Sequence, residues 1–437
     1  VRPPYLDDGD VRLYLGDCIE VMAELDAESV DAVVCDPPYG LEFMGKEWDS
    51  LDGTAWRNES ERDRAWQESQ VGSAGINARR RNAPDYGKPS AAMQEWHEAW
   101  AREALRVLKP GGHLLAFGGT RTFHRLTCGI EDAGFEVRDC LSWLYGSGFP
   151  KSLDVSKAID KAAGAEREVV GHADPSDPRT AMARKVYGNH MQDGAGEGVP
   201  ITAPSTDAAK QWDGWGTALK PGWEPCVVAR KPLAGTVAEN VQAHGTGAVN
   251  VDGCRIGTEG GCAGAGAGAR VYGDGLNGTF AQPVPGLGRW PANVAFDEQA
   301  AAMLDAQSGV TTSGAAGAKG TSGFAEGYDG EYSVPYGDTG GASRFFYTAK
   351  ASRADRSTNG ANNTHPTVKP TDLMRWLVRL VTPPGGVVLD PFAGSGSTLV
   401  AARAEGVRSI GIEREDEYAQ IIAARLSQLS LFSEEAA

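Results

Sequence analysis

The sequence predicts an α/β fold: an open, mostly parallel sheet with helices on both faces. Short apolar runs end at turn residues, helical patterns separate them, and strand-turn-helix sequences stand at both ends of the 437-residue chain. Residues 13–15 and 32–35 are the first such runs and suit buried parallel strands. Residues 91–108 read as a helix, because Trp96, Trp100, Ala104 and Leu108 recur every fourth residue before Lys109-Pro110-Gly111-Gly112 stops it. Strands follow at 113–117 and 135–145, with a shorter candidate at 226–229. Late in the chain come a strand at 387–389, a helix at 397–404 closed by Gly406, a strand at 408–412 and a last helix at 415–426.

The pieces between do not share this rhythm. Residues 41–90 are polar and Arg-rich, 151–221 carry one predicted helix (153–163), and 233–341 are rich in glycine, most densely at 261–269. Such composition cannot fill a conventional core and predicts loops. The chain is long enough for one large α/β domain plus a second module. No apolar run approaches the roughly 20 residues of a membrane helix, so no membrane partner is expected. Seven cysteines without CxxC spacing favour neither a disulfide framework nor a zinc site, and a reducing cytoplasm is the expected location. Cys18 and Cys35 sit in apolar stretches and read as small hydrophobes. A formal charge of −16 argues against nonspecific coating of nucleic acid, which needs Lys and Arg, but not against an enzyme whose cations cluster.

Two motifs carry chemistry. Asp36-Pro37-Pro38-Tyr39 follows a predicted strand, where an α/β sheet presents ligand loops. The Asp36 carboxylate and Pro37 carbonyl can each accept a hydrogen from an amino group, drawing its nitrogen toward tetrahedral geometry. Pro37 and Pro38 restrict the backbone that holds those acceptors. Tyr39 offers a flat face on which an unstacked base can lie. The same string could be only a rigid turn; its strand context and a distant partner motif favour the catalytic reading. That partner is Asp390-Pro391-Phe392-Ala393-Gly394-Ser395-Gly396, with Ser397 and Thr398 opening the next helix. Gly394 and Gly396 would let backbone approach a ligand, Phe392 could pack beside it, and Glu413 could accept two ribose hydroxyls. No GxGxxG or Walker loop is present here, which favours a cofactor without a pyrophosphate.

Together these motifs resemble the DNA amino-methyltransferases, which move a methyl group from S-adenosylmethionine to adenine N6 or cytosine N4. The catalytic motif precedes the cofactor motif, as in the permuted beta class, and the strings 143–151, 219–225 and 289–293 are similar to those of phage and prophage members. The resemblance covers the sheet elements at both ends. It implies a doubly wound, mostly parallel, seven-stranded Rossmann-like methyltransferase sheet with an irregular inserted target-recognition region. The catalytic half would be 1–232, the target-recognition region 233–363 and the cofactor half 364–437. It further implies cofactor contacts from Asp17, Cys18, His365, Thr367 and Lys369 beside Asp390, Phe392, Gly394, Ser395, Gly396, Ser397, Thr398 and Glu413. His365 is more often a structural hydrogen-bonder than a base, while Lys369 is favoured for the cofactor carboxylate.

The implied partner is double-stranded DNA, with no metal. Arg344, Lys350, Arg353 and Arg356 are candidate phosphate contacts, the alternative being a strand followed by a solvated loop, and Arg79, Arg80 and Arg81 are a second candidate clamp on the DNA backbone. A homodimer and a separate restriction endonuclease stay open. Adenine N6 is favoured because Asp at the first motif position is commoner in adenine enzymes. The competing readings are a DNA-binding regulator on an inactive methylase scaffold and a methyltransferase acting on RNA or protein. Intact motifs, permuted order and the large central insertion favour the DNA enzyme.

Overall fold

The computed structural model describes residues 2–39, 91–148, 152–172, 200–257, 288–312, 338–350, 355, 357–358, 361–362 and 368–434. Its centre is one sheet of ten strands. In chain order these are β1 (Leu6–Asp7), β2 (Val11–Leu15), β3 (Val30–Cys35), β4 (Leu108–Phe117), β5 (Glu136–Leu144), β6 (Trp223–Arg230), β7 (Val294–Asp297), β8 (Tyr347–Ala349), β9 (Val387–Asp390) and β10 (Arg408–Glu413). Across the sheet they run β1-β2-β10-β9-β3-β4-β6-β5-β7-β8. Six neighbouring pairs are parallel; β1 with β2, β4 with β6, and β6 with β5 are antiparallel.

The sheet is thus mostly parallel, as expected, but counts ten strands rather than seven. The seven from β2 to β5 form the expected run, with β6 reversed inside it. The surplus lies at the edges, where β1 folds back on β2 and where β7 and β8 extend the far side. The last two come from the stretch expected to be irregular. They are short, and β7 pairs with β5 and β8 with β7.

The described helices, in chain order, are α1 (Cys18–Glu24), α2 (Ala91–Val107), α3 (Phe123–Asp132), α4 (Val155–Ala163), α5 (Asp207–Gln211), α6 (Val237–His244), α7 (Glu298–Ser308), α8 (Thr371–Val381), α9 (Ser397–Ala404) and α10 (Asp416–Glu434). Of these, α1, α2 and α3 pack on one face of the sheet and α8 and α9 on the other. All six residues of β3 are buried, Asp31 among them, and the burial is why residues 32–35 read as a continuous apolar run. Strand alternation then divides them: Val33 and Cys35 pack with α2, through Trp96, Trp100 and Ala104, whereas Ala32 and Val34 pack with α8 and α9, through Leu373, Trp376 and Ala401. Burying side chains of this size contributes roughly 1.5–3 kcal/mol each and pins the register.

The chain divides into two compact units, Val1–Gly146 with Trp223–Ala437, and Ser147–Gly222. The smaller one holds α4, α5 and an antiparallel strand pair, Val169–His172 with Pro200–Thr202. There the buried Asp160 carboxylate accepts from Arg167 at 2.8 Å and from the Ser205 and Thr206 amides at 3.0 Å each. No helix among the described residues is long and apolar enough to cross a membrane.

Candidate active site

β3 and β9 run side by side and parallel, with Ala32 opposite Val388 and Val33 opposite Leu389. Their C-terminal ends therefore emerge together, although the motifs they carry lie at opposite ends of the sequence. One pocket forms there, lined by Asp36 and Pro38 from the β3 exit, Asp390 to Ser395, Ser397 and Thr398 from the β9 exit, Gly16 to Cys18 after β2, and Glu413 at the end of β10. Lys369, Trp96, Met374, Ile412, Arg414 and Tyr418 complete it.

One side of the pocket is a charged side-chain network. The Lys369 ammonium lies 2.5 Å from Asp36 Oδ2 and 3.1 Å from Glu224 Oε2. Tyr39 donates its hydroxyl to Asp36 Oδ1 at 2.8 Å, and Lys369 also reaches the Tyr39 oxygen at 3.3 Å. The ammonium stands over the Phe117 ring, 4.7 Å from its centroid. Burial works against the lysine's charge, yet Asp36 and Glu224 outweigh it and hold its pKa above the ordinary lysine range. Tyr39 is pushed well up, by burial first and then by Asp36, so its phenol stays protonated.

The other side is led by backbone. Gly396 has φ +78° and caps α9, and a Cβ there would come within 2.9 Å of Ile422. Only glycine adopts this bend without strain. Gly394, at φ +52°, donates its amide to Glu413 Oε2 at 2.7 Å, while Glu413 Oε1 accepts from Glu415 at 2.9 Å. Burial pushes Glu413 up to about 7 against these bonds. Asp390 is likewise pushed up to about 7 by burial, opposed by Thr398 and the Phe392 amide. Phe392 packs edge-on against Trp100, with centroids 5.3 Å apart. Arg425, buried on α10, donates to the Ser395 carbonyl at 2.6 Å and reaches the Ser395 and Ser397 hydroxyls at 3.3 Å each.

The structure brings Asp36, Asp17, Cys18, Asp390, Phe392, Gly394, Ser395, Ser397, Thr398, Glu413 and Lys369 to this one pocket. Asp17 also caps α1, accepting from the amides of Ile19 at 2.9 Å and Glu20 at 3.3 Å. Lys369, expected at the cofactor carboxylate, has its ammonium on Asp36 and Glu224. Arg344 is occupied within the protein: it pairs with Asp338, donates to the Gly340 and Gly341 carbonyls and stacks on Phe345. Lys350 is exposed, its amide bonded to Asp372 at 3.0 Å. Arg79, Arg80, Arg81, Arg353, Arg356, His365 and Thr367 lie outside the described residues. Glu224 and Arg425 escaped the sequence reading. Glu224 sits in the 219–225 string, but nothing local marks it as the partner of a lysine far down the chain.

The order of the two motifs, their meeting at the strand ends and the acidic glycine-lined pocket define a class, and the sequence profile of that class, the DNA methylases of the N6 and N4 type, matches residues 30–424. The chain belongs to that family and is a DNA methyltransferase. It is 24% identical over 423 residues to the type II methyltransferase M.HindIII of Haemophilus influenzae, covering 95% of this chain and 94% of that one. The DNA adenine methyltransferase YhdJ of Escherichia coli is 44% identical over 71 residues, 16% of this chain and 24% of its own. Among solved structures, the cytosine-N4-specific PvuII DNA methyltransferase is 14% identical with a TM-score of 0.43, covering 97% of this chain and 89% of that one. The M1.HpyAVI-SAM complex is also 14% identical, with a TM-score of 0.37 and coverage of 95% and 98%.

Proposed function

We propose that this protein methylates the exocyclic amino group of a base rotated out of double-stranded DNA, with S-adenosylmethionine as cofactor and adenine N6 as the favoured acceptor. The observation that carries this reading is that Asp36 and residues 390–395 of the turn line the same pocket. Asp36 and the Pro37 carbonyl accept the two amino hydrogens and aim the nitrogen lone pair into the pocket, Pro38 stiffens that backbone, and Tyr39 backs the base. The turn side suits the cofactor's donor groups: Glu413 for ribose hydroxyls, Asp17 for the adenine end, and Phe392, Ser395, Ser397 and Thr398 around the rest. Bound there, S-adenosylmethionine supplies a methyl carbon made electrophilic by its sulfonium. Positioning and electrostatics then supply the rate enhancement, with no covalent enzyme intermediate. Residues 233–363 are assigned to target recognition, and Lys350 with Arg79, Arg80, Arg81, Arg353 and Arg356 to phosphate contact.

Incubating the protein with tritiated S-adenosylmethionine and DNA, then resolving the nucleosides, tests this. Label in N6-methyladenine is the expected result. Label in N4-methylcytosine overturns the base assignment alone, and label only in RNA or protein overturns the substrate class.

A further inference from the structure

Glu224 has no role in the chemistry described above, yet its carboxylate lies 3.1 Å from the Lys369 ammonium that sits on Asp36. It comes from β6, the reversed strand, and reaches the site from the side opposite the cofactor turn. We propose that Glu224 is a positioning residue that sets the charge of the site: by sharing Lys369 with Asp36, it leaves the triad of two carboxylates and one ammonium with one net negative charge. This rests on the methyl-transfer reading above.

The charge matters because of where positive charge moves. The amino nitrogen spends its lone pair on the new N–C bond, the pair of the broken S–C bond stays on sulfur, and the nitrogen then sheds a proton to Asp36. Cationic charge therefore lies next to Asp36 before, during and just after transfer. A lysine paired with Asp36 alone would cancel the carboxylate that has to meet it. With Glu224 in place the cancellation goes to only one of two anions. Among the neighbours, Tyr39, Tyr145 and Cys226 are pushed up by burial and stay neutral, while Asp390, pushed up to about 7, lies on the cofactor turn outside the triad and is the same in every variant of the test.

The test compares binding of cationic S-adenosylmethionine with that of its neutral product S-adenosylhomocysteine by calorimetry, in the full-length wild type, E224Q, E224D and the double variant E224Q/K369M. E224Q keeps the shape and removes one negative charge, and it should cut the preference for the cation about tenfold. E224D keeps the charge and should keep the preference. Removing Lys369 from E224Q restores a single net negative charge on Asp36, so E224Q/K369M should return to within about threefold of wild type. Single-turnover transfer rates should follow the same order. A merely structural glutamate would not be rescued by losing its partner. An E224Q preference equal to wild type, or no rescue in the double variant, overturns the assignment while leaving the methyltransferase intact. Failure of the wild type to bind either compound overturns the proposed function and this inference with it.

Discussion

The two sides of the pocket hold their polar groups in opposite ways. On the Asp36 side, side chains hold side chains: Lys369, Tyr39 and Glu224 converge on or around one carboxylate, and the two carboxylates keep the Lys369 ammonium charged despite burial. On the glycine side, backbone amides hold the carboxylates, no lysine intervenes, and Asp390 and Glu413 drift to about 7. A partner cation fixes charge whatever the pH, whereas amide donors alone leave a buried carboxylate poised. The first side is therefore built to present a constant negative acceptor, and the second to acquire charge when a ligand supplies donors.

That contrast breaks if the two sides fail separately in the wrong way. Asp36→Ala should cost the most, lowering single-turnover methyl transfer by about 10²–10³-fold, the usual loss on deleting a preorganised electrostatic group. Glu224 still pairs Lys369 in that variant, so the fold should survive; the triad loses its net negative charge, so affinity for the cationic cofactor should fall only about tenfold, as in E224Q, and affinity for S-adenosylhomocysteine should stay within about threefold of wild type. Full activity would remove Asp36 from the chemistry. Equal losses of rate and cofactor binding would mean that the two sides are one unit.

Gly396→Ala attacks the other side. Its left-handed backbone strains any residue with a Cβ by about 1–2 kcal/mol, and the new methyl group would press on Ile422. Cofactor affinity should fall about ten- to thirtyfold, with a lower melting temperature, while binding of target DNA without cofactor is spared. An alanine variant that binds cofactor normally would show that the bend serves only the start of α9.

What was legible in the sequence follows the same division. The turn side is read easily because its constraints are local: Gly394 and Gly396 between a strand and a helix state their own backbone geometry, whereas on the Asp36 side only the stiffness of Asp36-Pro37-Pro38-Tyr39 is local. The strands β2, β3, β9 and β10 were marked by apolar runs that had to be buried on both faces. By contrast, β7 and β8 lie in glycine-rich surroundings, and nothing in three or four residues says that they will extend a sheet. The pairing of Lys369 with Asp36 spans 333 residues, and Glu224 joins from a third place. Such a meeting is set by strand order, which periodicity does not encode. Arg344 shows the same limit: its aromatic and cationic neighbourhood reads as a phosphate clamp, and nothing in the sequence says that folding places Asp338 beside it.

The smallest expected effect is on pH, and it separates the two sides most cleanly. Glu413 rises from an ordinary value of 4.5 to about 7 on folding, so between those values the folded protein holds a proton that the unfolded chain has lost. Its contribution to stability is therefore greatest in acid and fades as pH climbs toward 7, after which it is flat. Ligand binding runs the other way. Hydroxyl donors favour the ionised carboxylate, so cofactor affinity should rise about tenfold between pH 6 and pH 8, for one proton released near 7. Glu413→Gln should bind more weakly and lose that slope, and its melting temperature should decline less from pH 5 to pH 7 than that of wild type. The Asp36 side should add no slope in this range, because its ammonium stays charged throughout. Calorimetric titrations across pH in wild type and E413Q decide the matter: a flat wild-type profile would mean that the backbone amides already hold Glu413 ionised, and the two sides of the pocket would then work alike.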